Sequence, residues 1–194
     1  ETWIGDDDDL PLYQEIKTAL LNFTTNGPKT FFIHGNRDFL IGEFFAQETG
    51  ITLLPDPYTL DINNQKVVVS HGDFLCTDDE GYMKFRNEVR TEQWQSNFIQ
   101  KDLDERKQIA AALRADSKAA TSIKSNAITD VNPASVDVFI EEYKPDLFIH
   151  GHTHRPDVHD MGSCKRVVLG DWGSYGWFLT IDGQDFNLEK FSIS

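Results

Sequence analysis

Three times along the chain an apolar run stops abruptly at a polar residue, with glycine close behind. The segments are Phe31-Phe32-Ile33-His34-Gly35-Asn36-Arg37-Asp38, Val67-Val68-Val69-Ser70-His71-Gly72-Asp73 and Leu147-Phe148-Ile149-His150-Gly151-His152-Thr153-His154. Short apolar runs bounded by turn formers read as buried strands. Ligand-type side chains set straight after several strands of one sheet converge on a single crevice. Glycine beside them lets the backbone turn sharply and approach an ion closely. Five of the six histidines fall at these strand ends, so the pattern points to a metal site, with Asn36, His71, His152 and His154 as candidate ligands. His152 and His154, two residues apart, point the same way if the backbone between them is extended.

The rest of the chain supplies elements that alternate around these strands. Leu10 to Phe23 has an amphipathic helical period through Leu12, Ile16, Leu20 and Phe23, and Asn26-Gly27-Pro28 ends it. A helix is expected over 39–49, stopped by Gly50, and strands over 51–54, 58–62 and 66–70, with Asn63-Asn64 as a turn. Residues 78–126 are polar and helical, with Asp78 or Asp79 as an N-cap. A helix over 135–143 follows, then strands over 146–150, 166–169, 177–181 and 187–193, with a hairpin turn at Asp182-Gly183. Helices alternating with apolar strands indicate a layered α/β domain covering 1–194, with the 78–126 helical stretch as an inserted cap.

The formal charge of −14 argues against a nucleic-acid partner, which needs a positive footprint. The charge is uneven: Lys84 to Lys124 holds nine Lys or Arg against six Asp or Glu. That local excess suggests an anionic partner for the cap. Cys76 and Cys164, the only two cysteines, read as reduced thiols and point to the cytoplasm.

In order and separation, Gly35-Asn36, His71 and Gly151-His152-Thr153-His154 resemble blocks of the calcineurin-like metallophosphoesterases. The resemblance implies a two-sheet sandwich flanked by helices, with two divalent metal ions, Mn²⁺ suiting such N and O ligands. A narrower likeness runs through nearly the whole chain. Trp3 to Asp8, His34 to Leu40 with Arg37 in the asparagine motif, His71-Gly72-Asp73, Leu75 to Asp79, Arg114 to Lys118, Asp130-Val131-Asn132 and His150 to Pro156 are similar to the UDP-2,3-diacylglucosamine hydrolases of lipid A synthesis. That family implies metal-activated water attacking the α-phosphorus of UDP-2,3-diacylglucosamine, releasing UMP and 2,3-diacylglucosamine 1-phosphate. Asn36, Arg37 and His152 match catalytic positions, with Arg37 neutralising phosphoryl charge. Asp38 and Asp73 are candidates to orient ligand imidazoles or Arg37. Asn36, Arg37, Asp79, Tyr82, Ser117, Thr121, Lys124 and His152 match substrate-binding positions. Trp94, Phe98, Ile99, Leu103, Ile109 and Leu113 are candidates for an apolar wall against the acyl chains. A peripheral place on the cytoplasmic face of the bacterial inner membrane is implied, although the polar 95–108 segment departs from the apolar, arginine-rich stretch of many relatives.

The family's first two blocks are absent. Asp-x-His does not occur before residue 34, and Gly5-Asp6 opens a run of four aspartates that reads as a solvated loop rather than a replacement. The strand-helix-strand segment that carries those blocks is expected to be missing from these residues. The first metal would then keep only His154, and the second Asn36, His71 and His152 without a bridging carboxylate. An isolated 194-residue piece is therefore expected to turn over little. Two other readings stay open: a metallophosphoesterase acting on soluble nucleotide diesters, and a non-catalytic scaffold of the same fold.

Overall fold

The structure, a computed structural model, describes residues 2–122, 124 and 128–193. The chain forms two compact units, Glu1–Pro55 with Gly81–Lys124, and Asp56–Glu80 with Ser125–Ser194.

The second unit is a sandwich. Its larger sheet has the order β3-β4-β5-β7-β6, from β3 (Tyr58–Ile62), β4 (Gln65–Ser70), β5 (Leu147–His150), β6 (Asp157–Asp160) and β7 (Lys165–Val168). β5 runs parallel to both neighbours, whereas the two edge strands are antiparallel. All four residues of β5 are buried, which explains its unbroken apolar run. Strand alternation sends Leu147 and Ile149 to one face, where with Val67 and Val167 they pack against Leu179, Ile181, Phe186 and Leu188. Those four belong to a hairpin of β8 (Tyr175–Asp182) and β9 (Asp185–Ser192). Phe148 faces the other way, into a cluster with Val136, Phe139 and Ile140 of helix α6 (Pro133–Tyr143). The Asn132 side chain caps α6 by accepting from Ser135 N, with Pro133 in the first turn.

The first unit holds the parallel pair β1 (Phe31–Ile33) and β2 (Thr52–Leu54), with helices α1 (Pro11–Thr25) and α2 (Glu43–Thr49). The described residues of the 78–126 stretch hold three helices, α3 (Glu80–Val89), α4 (Glu92–Ile99) and α5 (Leu103–Ser122). Among the described residues the strands form three sheets, two of them making the sandwich of the second unit.

Several local expectations are corrected. Of the expected α1 stripe Leu12, Ile16, Leu20 and Phe23, only Leu20 packs inward; the other three are exposed, and the buried face carries Tyr13 and Lys17 beside Leu20. Lys17 is only 6% exposed because Glu48 pairs with it at 2.8 Å. Helix α2 begins at Glu43, four residues later than expected. The aspartate run is not a solvated loop. Asp6 accepts from Gly42 N and Phe45 N, capping α2 from a distance, and from Trp3 Nε1. Asp7 forms a two-pronged pair with Arg106, while Asp8 is buried. β6 was not anticipated, since only one apolar residue, Val158, lies in it.

Cys76 and Cys164 are free thiols in the α6 core. Burial, reinforced by the charges of Asp73, Asp130 and Asp79, pushes the Cys76 thiol up to about 12. Burial also raises Cys164. Thiolate is the reactive form, so neither cysteine should react with Ellman's reagent in the native protein at pH 8, and both should in denaturant. Rapid native labelling would show that this core is not closed.

Candidate metal centre and active site

The ends of β4 and β5 bring two predicted ligands together. His71 Nε2 lies 3.1 Å from His152 Nδ1, with the rings edge to face. Each is held by its own backbone. His71 N donates to Asp56 Oδ1, which also accepts from Ser70 Oγ at 2.5 Å. Gly151 N donates to His71 O at 3.1 Å, tying the two loops directly. The segment after β5 is not extended: His152 and His154 both have left-handed backbone, φ 65° and 56°. Positive φ is costly for residues with a Cβ and collects at functional sites. His154 is exposed. Among the described residues no three His, Cys, Asp or Glu converge closely enough to hold an ion, so the His71–His152 pair is the nucleus the structure provides.

His150, the last residue of β5, fixes this arrangement without being a ligand. Arg166 Nη1 donates to its Nε2 at 2.9 Å, so the proton sits on Nδ1, which donates to Gly151 O at 3.1 Å. Burial pushes its pKa down to about 4. A Cβ on Gly72 would lie 2.9–3.1 Å from the His150 ring, and Gly72 has φ 93°; both facts require glycine there. Asp73, beside it, is fully buried.

The first unit positions the asparagine motif. Gly35 N donates to Asp38 Oδ1 at 2.5 Å, and Arg90 Nη2 donates to Gly35 O at 2.8 Å. Burial raises the Asp38 carboxyl. Asn36 and Arg37 line a cavity of about 620 Å³ with Tyr82, Ser117, Arg114 and Lys118. Its apolar wall contains Trp94, Phe98 and Leu113, as expected, and also Trp3, Phe39 and Phe85, which sequence reasoning did not single out. Ile99 is instead 41% exposed. Of the basic residues in the cap, Arg106 is engaged by Asp7 and Ile4 O, and Lys101 by Glu105. From this stretch Arg114 and Lys118 line the cavity, adding to the charge of Arg37, and spacing alone did not distinguish them. Asp79 is buried and belongs to the second unit. The side chain of Thr121 lies outside the described residues, and Lys124 follows the end of α5.

Residues 3–156 match the family model for calcineurin-like phosphoesterases. The chain is also 47% identical over 195 residues to a UDP-2,3-diacylglucosamine hydrolase of Enterobacter sp. (strain 638), covering 98% of this chain and 81% of that one. A hydrolase of the same name from Tolumonas auensis is 45% identical, covering 97% and 78%. This chain belongs to the calcineurin-like phosphoesterase family. Among solved structures, an archaeal phosphodiesterase is 11% identical with a TM-score of 0.47, covering 91% of this chain and 76% of that one, too loose a likeness to add to the assignment.

Members of this phosphoesterase family work with divalent metal ions. The His71–His152 pair fits that chemistry. Metal–nitrogen bonds of about 2.1 Å place neighbouring ligand nitrogens roughly 3 Å apart, as here. Ligand orientation from the next layer typically controls metal affinity by 10–100-fold. Asp56→Ala, which removes the acceptor for His71 N and Ser70 Oγ, should weaken Mn²⁺ binding by about that factor, and His71→Ala by more. Competition with a metal-sensitive dye measures both. Unchanged affinity in His71→Ala would remove this residue from the ligand set.

Proposed function

We propose that the chain hydrolyses the pyrophosphate bond of UDP-2,3-diacylglucosamine to UMP and 2,3-diacylglucosamine 1-phosphate, by attack of water on the α-phosphorus. The observation that carries this reading is near-complete coverage, 98% of the chain at 47% identity, by a hydrolase of that name. Two bound cations, Mn²⁺ in this reading, would supply the activated water and offset charge on the phosphoryl oxygens.

The chain's own residues do the rest. Asn36, His71, His152 and His154 serve as metal ligands, and Arg37 faces the charge that develops on the phosphoryl group. Tyr82 and Ser117 offer hydroxyls, and Arg114 and Lys118 offer cations, to the glucosamine phosphate; the aromatic wall of the same cavity suits acyl chains. Thr121, Lys124 and Asp79 complete the sugar-phosphate contacts. Among the described residues no helix is long and apolar enough to cross a membrane, and the lipid is met by peripheral contact at the cytoplasmic face of the inner membrane.

Hydrolysis of UDP-2,3-diacylglucosamine by the full-length protein, followed by UMP release, tests the assignment. Activity should vanish with chelator and return with Mn²⁺. Arg37→Ala should lower kcat about 10²–10³-fold, the usual cost of removing one donor to developing charge. Preference for soluble nucleotide diesters over the lipid would replace this reading with another.

Lys124→Ala separates recognition from chemistry. It should raise KM for the lipid substrate several-fold while leaving turnover of a small chromogenic phosphodiester unaltered. An equal effect on both substrates would take Lys124 out of lipid recognition.

A further inference from the structure

The second unit has a cavity of its own, about 480 Å³, within the usual range for small-ligand sites of roughly 300–1,000 Å³. Its floor is the face of β6 and β7 that carries Asp157, His159 and Arg166; His159 and Arg166 are cross-strand partners. The first turns of α6 form one wall, with Val136 and Asp137, and Thr153 and Arg155 form another. Thr153 stands between His152 and His154, so the cavity is walled by the same loop that presents the metal-type histidines.

Polar groups here are placed but not all satisfied. Arg155 is tied to Asp130 and to Thr129 Oγ1. Arg166 uses Nη1 on His150, while its Nε is buried with no hydrogen-bond partner among the described residues; Thr153 Oγ1 is in the same condition. An unmet buried donor costs about 1–3 kcal/mol, a cost that a ligand can relieve. The lining carries three carboxylates, Asp130, Asp137 and Asp157, against two guanidiniums. An inorganic anion is disfavoured by that balance. The carboxylates also do not converge as a cation site does. A neutral, flat ligand that both donates and accepts hydrogen bonds fits best.

We propose that this cavity holds the uridine half of the substrate, with Arg166 Nε and the Thr153 hydroxyl meeting the carbonyl edge of uracil and the Asp157 and Asp137 carboxylates accepting from its N–H and the ribose hydroxyls. The proposal rests on the substrate assigned above. It explains why a phosphoesterase with an apolar cavity for lipid also needs a polar one, and it gives Arg166 on β7 a task beyond holding His150.

Calorimetric titration of UMP into the full chain with Mn²⁺ present tests it. The parent should bind UMP about tenfold more tightly than CMP, whose exchanged donor and acceptor face Arg166 wrongly, and more tightly than ribose 5-phosphate. Thr153→Val, close in shape, and Arg166→Met should each weaken UMP about tenfold, the equivalent of one lost hydrogen bond. Circular dichroism checks that each variant is folded, and Thr153→Val carries the test if Arg166→Met is not. Equal affinity of the parent for UMP and ribose 5-phosphate, or unchanged UMP affinity in folded Thr153→Val, overturns the proposal. Failure of the parent to hydrolyse the UDP-linked lipid while UMP binding behaves as expected would sink the substrate assignment and leave the cavity's preference standing.

Discussion

One neutral imidazole holds the second unit's chemistry in place. His150 ends the fully buried strand β5, accepts from Arg166 and donates to Gly151 O. Its ring presses against Gly72 on one side and stacks near Phe148 on the other. A charged ring could not accept from a guanidinium, and burial keeps the pKa near 4, so the ring stays neutral across the physiological range. Through those contacts the loop after β4 and the loop after β5 have fixed positions. His71 and His152 meet at 3.1 Å because neither loop is free to drift.

The aspartate run plays an analogous part in the first unit, by another means. Asp6 caps a helix that begins 37 residues later in the chain, Asp7 grips Arg106 of α5, and Trp3 packs against Tyr13 and Phe45. Residues 3–8 are thus bound to the body of this unit mainly by side-chain contacts, with one backbone bond from Trp3 N to Arg37 O. The pairing of Asp7 with Arg106 lowers the acid's pKa, with the hydrogen bond as the largest cause. Charges that composition alone marks as solvated are here the mortar between elements.

How much of this was legible in the sequence depends on the range of the determining contact. The strand ends, the Asn63-Asn64 turn and the capped helix α6 follow from neighbours within a few residues, and they fall where expected. The face of α1 does not. Leu12, Ile16 and Phe23 have a faultless period, yet Lys17 is buried because Glu48 and the Asp6 carbonyl lie opposite it. No periodicity within α1 contains that information. The same holds for the basic residues of 84–124: all nine are visible in sequence, but not that Asp7, 99 positions away, takes up Arg106 while Arg114 and Lys118 line the cavity. Spacing pairs His152 and His154 only on an extended backbone, and the left-handed backbone that both adopt is a tertiary consequence of the loop's fixed ends.

The two cavities share one design. In the first unit the Asn36–Arg37 loop, which carries a predicted ligand, also walls the apolar cavity; in the second the His152–Thr153–His154 loop walls the polar one. The substrate proposed above joins a nucleoside to a lipid through two phosphates and so carries polar, charged and apolar parts. Each loop thus serves a cavity within its own unit, and a group bound there is held beside that unit's metal-type residues. Binding energy from the remote groups can then orient the bond to be broken, which is where it contributes most to rate. A soluble diester lacking either end would forgo that contribution, so under the proposed assignment the lipid substrate is favoured by contacts outside the metal ligands, which both substrates would share.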